Sequence, residues 1–154
     1  MLYPHGGPHS NSFRFFSKLS HIFVENGFDF LSVNYRGSIG YGSDFVTKLP
    51  GKCGDVDVSD CLKAFDTVQS KKSYDENFVF GFSHGGWLTA HLTAARPDGF
   101  KAACLGNPVI NLVTCYPLSD IPEWSYYEAF GHYKAQGSPD PTGRFKDQVF
   151  QPID

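Results

Sequence analysis

Gly81-Phe82-Ser83-His84-Gly85 fits the pattern G-x-S-x-G, the elbow that presents a nucleophilic serine between a strand and a helix. A serine hydroxyl is a poor nucleophile at neutral pH and needs an adjacent base to take its proton. The elbow solves the geometric part of the problem. Its sharp turn lifts the serine Oγ above the sheet, and glycines on either side let strand and helix approach. It also sets the backbone N–H of the next residue, His84, beside the reacting carbonyl at a helix N-terminus, where negative charge develops. The His84 imidazole is incidental to that role. A second donor is expected from His5-Gly6-Gly7-Pro8, because enzymes built on this elbow place an HGG run at the end of an early strand. Gly7 N–H is the expected donor and Ser83 the expected nucleophile. The chemistry is acyl transfer.

Chance alone places G-x-S-x-G in roughly one chain in twenty of this length, so context decides. An apolar strand, Asn77 to Gly81, runs straight into the serine, and Gly85 to Arg96 then reads as a helix ended by Pro97. In this architecture an acid and then a histidine follow well downstream of the serine. Asp98, Asp120 and Asp140 each come too early, and His91 sits on the helix behind the serine as a packing residue. No acid and no base are therefore assigned within the chain. His9, His21 and His132 have no partner legible in the sequence. Gly37-Ser38-Ile39-Gly40-Tyr41-Gly42 is neither G-x-G-x-x-G nor a P-loop. It reads as a loop lining the cleft, with Arg36 in a buried ion pair to a downstream aspartate. Cys53, Cys61, Cys104 and Cys115 show neither CxxC nor zinc spacing. They read as four reduced thiols, and no cofactor or metal is expected.

The elements that must carry these residues alternate. Ser12 can cap a helix through Phe13, Phe16, Leu19 and Phe23, stopped by Gly27. Phe28 to Val33 is a short strand. Asp55 to Ser70 is a helix with Val58, Leu62, Phe65 and Val68 on one face and Asp55, Asp57 and Asp60 in its first turns, where the dipole favours them. Lys101 to Leu105 is a further strand. Strands separated by helices imply βαβ units and a mostly parallel sheet, an α/β class. Beyond Gly106 the chain is aromatic and proline-rich. It reads as an excursion over the active-site face, helical from Trp124 to Phe130.

At 154 residues, 41% hydrophobic and 19% charged, the chain suits one domain over residues 1–154. A net charge of −3 with no basic cluster beyond Lys71-Lys72 argues against nucleic acid or an anionic membrane as partner. No secretory leader or apolar run of about 20 residues is present. A cytoplasmic setting is the expectation.

Three blocks in order, Tyr3-Pro4-His5-Gly6-Gly7-Pro8-His9-Ser10, Asn34-Tyr35-Arg36-Gly37-Ser38-Ile39-Gly40-Tyr41-Gly42 and Gly81-Phe82-Ser83-His84-Gly85-Gly86, make the chain resemble the prolyl oligopeptidase family of serine peptidases. Gly106-Asn107-Pro108-Val109-Ile110-Asn111 and Asp120-Ile121-Pro122-Glu123-Trp124 look most like its acylaminoacyl-peptidase branch. The resemblance implies an α/β-hydrolase domain, here truncated at both ends and without the propeller that normally precedes it. It implies Ser83 as nucleophile and Gly7 and His84 as oxyanion donors. It also implies peptides with acylated N-termini as substrates and a homo-oligomeric full-length relative. The family's acid and base would fall beyond Asp154, so the chain alone is expected to be inactive. Two rivals stay open: a carboxylesterase or lipase of the same fold, and a truncated product without catalysis.

Overall fold

The computed structural model describes residues 1–132. Four short strands, β1 (Leu2–Pro4), β2 (Leu31–Val33), β3 (Phe78–Phe82) and β4 (Ala102–Gly106), form one sheet in the order β2-β1-β3-β4, every pair parallel. Because the strands run the same way, the loops leaving β1, β2, β3 and β4 all emerge at one edge of the sheet, the edge where parallel α/β sheets build their sites.

The helices are α1 (Lys18–Glu25), a single turn α2 (Ser43–Val46), α3 (Val56–Gln69), α4 (His84–Ala95), α5 (Leu112–Leu118) and α6 (Pro122–Phe130). Helix α4 is apolar nearly all round, and His84 through Ala90 are buried without interruption. A helix of that kind belongs in an interior. Leu88 and Leu92 pack in one core with Leu2, Val33 and Val79 from the sheet and Val58, Cys61 and Phe65 from α3.

Burial alternates along β1 and β3, as a period of two requires, whereas β4 at the sheet edge is exposed from Ala102 to Leu105. Leu2 and Pro4 of β1 and Val79 and Gly81 of β3 face the core. Tyr3, Phe80 and Phe82 face the other way, where Phe30 and Phe80 pack against both Tyr3 and Phe23 of α1. No residue of α1 is buried.

The helix expected from Ser12 begins later. Asn34 Oδ1 accepts from the Ser12 N–H at 2.8 Å, and its amide donates to the Ser12 carbonyl. Those bonds hold Ser12 to the segment after β2, and Ser17 is the residue that caps α1. Phe13, Phe15 and Phe16 are left exposed ahead of the helix. The other expected elements lie within a few residues of their observed bounds. Asp140 lies outside the described residues.

Candidate active site

Ser83 stands at the junction of β3 and α4 with φ 53° and ψ −121°. Positive φ in a residue with a Cβ costs on the order of 1–3 kcal/mol and persists only where the surroundings over-determine it. Here they do. The Ser83 N–H donates to the Gly106 carbonyl at 3.0 Å, and the Ser83 carbonyl accepts from Gly86, Trp87 and Val109. Every backbone group of the strained residue is spent on backbone, and its side chain stays exposed.

Three glycines make the turn possible. A Cβ on Gly81 would collide with the Gly85 carbonyl, and one on Gly85 with the Pro4 carbonyl. A Cβ on Gly86 would lie 2.7 Å from Pro108 Cβ. The expected close approach of strand and helix is therefore real, and it also draws α4 onto the end of β1. The residues after β1 consequently sit against the elbow, so that a Cβ on Gly6 would lie 2.8 Å from the Phe82 carbonyl and 3.4 Å from Ser83 Cβ. Gly7, with φ 129°, is exposed in the same turn. Among the described residues, neither Gly7 nor His84 spends its backbone N–H on another group. Two free donors and an exposed hydroxyl thus share one edge of the sheet. Donors of this sort, fixed in advance, stabilise an oxyanion at no reorganisation cost.

Behind this edge lies a polar network that sequence spacing did not reveal. His84 Nε2–H donates to Asp57 Oδ2 at 2.8 Å, and the side chains are 4% and 0% exposed. Asp57 Oδ1 accepts from the N–H groups of Gly54 and Val58. The imidazole set aside above as incidental thus ties the first residue of α4 to the first turn of α3. Cys53 Sγ–H donates to Glu128 Oε2 at 3.6 Å. Burial pushes the Cys53 thiol well above its ordinary value, and the charges of Asp57 and Glu128 add to the effect. Cys53 Sγ, a carboxylate oxygen of Asp57 and a ring nitrogen of His84 lie within 4.8 Å of one another, but Asp57 and His84 are joined by their own hydrogen bond.

The turn after β1 is held from several sides. His5 Nδ1–H donates to the Gly6 carbonyl at 2.7 Å, leaving Nε2 to accept from Ser38 Oγ at 2.8 Å. Burial lowers the His5 pKa, and the Gly6 carbonyl only partly opposes it. Tyr35, fully buried, stacks on His5 and donates its hydroxyl to the His5 carbonyl at 2.7 Å. Arg36 finds its aspartate, with Nε and Nη2 gripping the two oxygens of Asp60 at 2.8 Å each. The pair is about one-third exposed rather than buried.

Of the acids considered downstream, Asp98 and Asp120 are exposed. Among the described residues, no side chain is hydrogen-bonded to the Ser83 hydroxyl.

Known proteins are similar to this chain in sequence and in backbone. A model of the prolyl oligopeptidase family matches residues 13–148. The chain is 44% identical over 146 residues to the acylamino-acid-releasing enzyme of Arabidopsis thaliana, an alignment covering 92% of this chain and 19% of that enzyme. It is 37% identical over 142 residues to the acylamino-acid-releasing enzyme of Homo sapiens, covering 91% of this chain and 19% of that one. Among solved structures, the acylaminoacyl peptidase of Pyrococcus horikoshii superposes with a TM-score of 0.78 at 26% identity, over 84% of this chain and 22% of that chain. The parallel sheet, its flanking helices and the strained serine are those of the α/β-hydrolase fold. Matched over most of its length in sequence and in backbone, the chain belongs to the prolyl oligopeptidase family of serine peptidases.

Proposed function

We propose that this chain is part of a peptidase of the acylaminoacyl-peptidase type, which releases N-acylated amino acids from blocked peptides. Ser83 Oγ attacks the carbonyl of the acylated first residue, and the C–N bond to the rest of the peptide breaks. The peptide leaves as the amine carrying the serine's proton, and water then cleaves the acyl-enzyme. The backbone N–H groups of Gly7 and His84 hold the oxyanion, each worth about 3 kcal/mol by analogy with such donors elsewhere. The observation that carries this reading is the exposed Ser83 at φ 53°, locked by backbone bonds beside a turn with an uncommitted N–H. No residue of 1–154 is assigned as acid or base, so this stretch alone is expected to be inactive. A cytoplasmic setting, substrates with acylated N-termini and a homo-oligomeric full-length form belong to the same reading.

The test is to purify the polypeptide carrying these residues from its source cells. Acetyl-alanyl anilide and p-nitrophenyl esters are then compared as substrates, with and without Ser83→Ala. Preferred cleavage of the acetylated anilide that vanishes in the variant supports the reading. Preference for the esters would reassign the site to an esterase, and activity surviving Ser83→Ala would remove the serine from the mechanism. Turnover by residues 1–154 alone would show that an acid and base lie within them.

A further inference from the structure

His9 lies two residues beyond Gly7, and its ring is bonded at both nitrogens. Nδ1–H donates to the Gly37 carbonyl at 2.7 Å, and Nε2–H donates to Glu128 Oε1 at 2.8 Å. A carbonyl and a carboxylate are both acceptors, and a neutral imidazole has only one N–H to give. With Glu128 ionised, holding both bonds requires the imidazolium. Glu128 is 1% exposed, and its second oxygen accepts from Cys53. The cation is thus matched to a buried anion whose other bonding site is already filled. We infer that His9, as an imidazolium spanning Gly37 and Glu128, is the positioning residue of the His5–Pro8 turn and fixes where the Gly7 N–H points. This rests on the reading of Gly7 as an oxyanion donor, but the tie itself is testable without any turnover.

The groups facing His9 can be named element by element. Helix α6 contributes Glu128, and the loop after β2 contributes the uncharged Gly37 carbonyl. The segment before α3 contributes Cys53, which reaches Glu128 rather than His9. The bond to Glu128 raises the His9 pKa, partly opposed by burial. A raised pKa means that the stabilisation is complete at pH values below the ordinary histidine value. It is lost as pH rises through the higher, folded-state value. Above that point the ring keeps one partner and must release the other, so the turn is untied from either the loop after β2 or α6.

The test is ¹⁵N NMR of the histidine side chains in the full chain from pH 5 to 9, with amide exchange followed in parallel. Two protonated nitrogens on His9 are expected to persist above the ordinary histidine pKa. The protection factor of the Ser10 amide, which bonds the Pro8 carbonyl, should fall roughly tenfold as the ring titrates, the loss of one charge-assisted bond. In Glu128→Gln the titration should move down and the step in protection should disappear. A neutral His9 ring at pH 6 would overturn the proposal, as would Ser10 protection that ignores the titration. If Glu128→Gln fails to fold, the wild-type titration still decides. A tie that is present while the polypeptide from source cells cleaves acetyl-alanyl anilide equally well with and without Ser83→Ala would leave this inference standing and sink the functional reading instead.

Discussion

On the side of the sheet covered by α3 and α4, side chains meet in a closed core and leave only a few per cent of their surface to solvent. On the side covered by α1, the rings of Tyr3, Phe30 and Phe80 are half-buried, Phe82 is 46% exposed, and Phe13, Phe15 and Phe16 stand out at 65–68%. The residues on this second side are, if anything, larger and more apolar. What differs is that, among the described residues, one eight-residue helix, none of it buried, covers a sheet face that two longer helices cover on the other side. Hydrophobicity of a residue type therefore does not by itself place it in a core; it must be met by a partner of matching area. The site follows the same division. The donors beside Ser83 rest on the closed side, through α4 and Asp57, where little can shift.

The sharpest way to break this contrast is Gly85→Ala. The added methyl meets the Pro4 carbonyl, which is backbone and cannot turn aside. It should cost about 4 kcal/mol or prevent folding altogether, read as a loss of the cooperative transition in urea. A cost under about 1 kcal/mol would mean that β1 and α4 are not in the contact described. Asp57→Ala comes next. It strands the N–H groups of Gly54 and Val58 and the His84 ring donor, and should cost about 2–3 kcal/mol. Asp57→Asn should cost less, because the amide oxygen can still accept from Gly54 and Val58 while His84 changes tautomer. Equal costs for the two variants would show that the carboxylate charge, not the hydrogen bonds, is what the site needs. Smallest is Phe15→Ser on the open side, within about 0.5 kcal/mol in stability. Sedimentation should nonetheless show less self-association, because an exposed apolar patch has been reduced. A large stability loss there would mean that the open side is closed in solution.

Local sequence made the elbow readable. The apolar run into Ser83, the glycines around it and the helix stopped before Pro97 are all consequences of neighbours in the chain, and β3 and α4 lie where those signals put them. The start of α1 was misread for a reason no local signal contains: Asn34, from the loop after β2, occupies the backbone of Ser12. Asp57 looked like one of three first-turn aspartates favoured by the helix dipole, yet it is fully buried and holds His84, while Asp60 takes Arg36. His9 lay within the first family block but, like Glu128, had no partner legible in the sequence. Each is ordinary until the fold brings them together, and only their tertiary geometry reveals the imidazolium.

The separation of that pair along the chain sets an order in time. His5 and Ser38 are 33 residues apart, whereas His9 and Glu128 are 119 apart. On a growing chain the first bond can form once the loop after β2 has been made. The second must wait until α6 has been synthesised, and closing its longer loop costs about 1 kcal/mol more in chain entropy. The strand pairings among β1, β2 and β3 are available well before then. The scaffold of the site is therefore an early product of synthesis, and the final setting of its glycine turn is a late one.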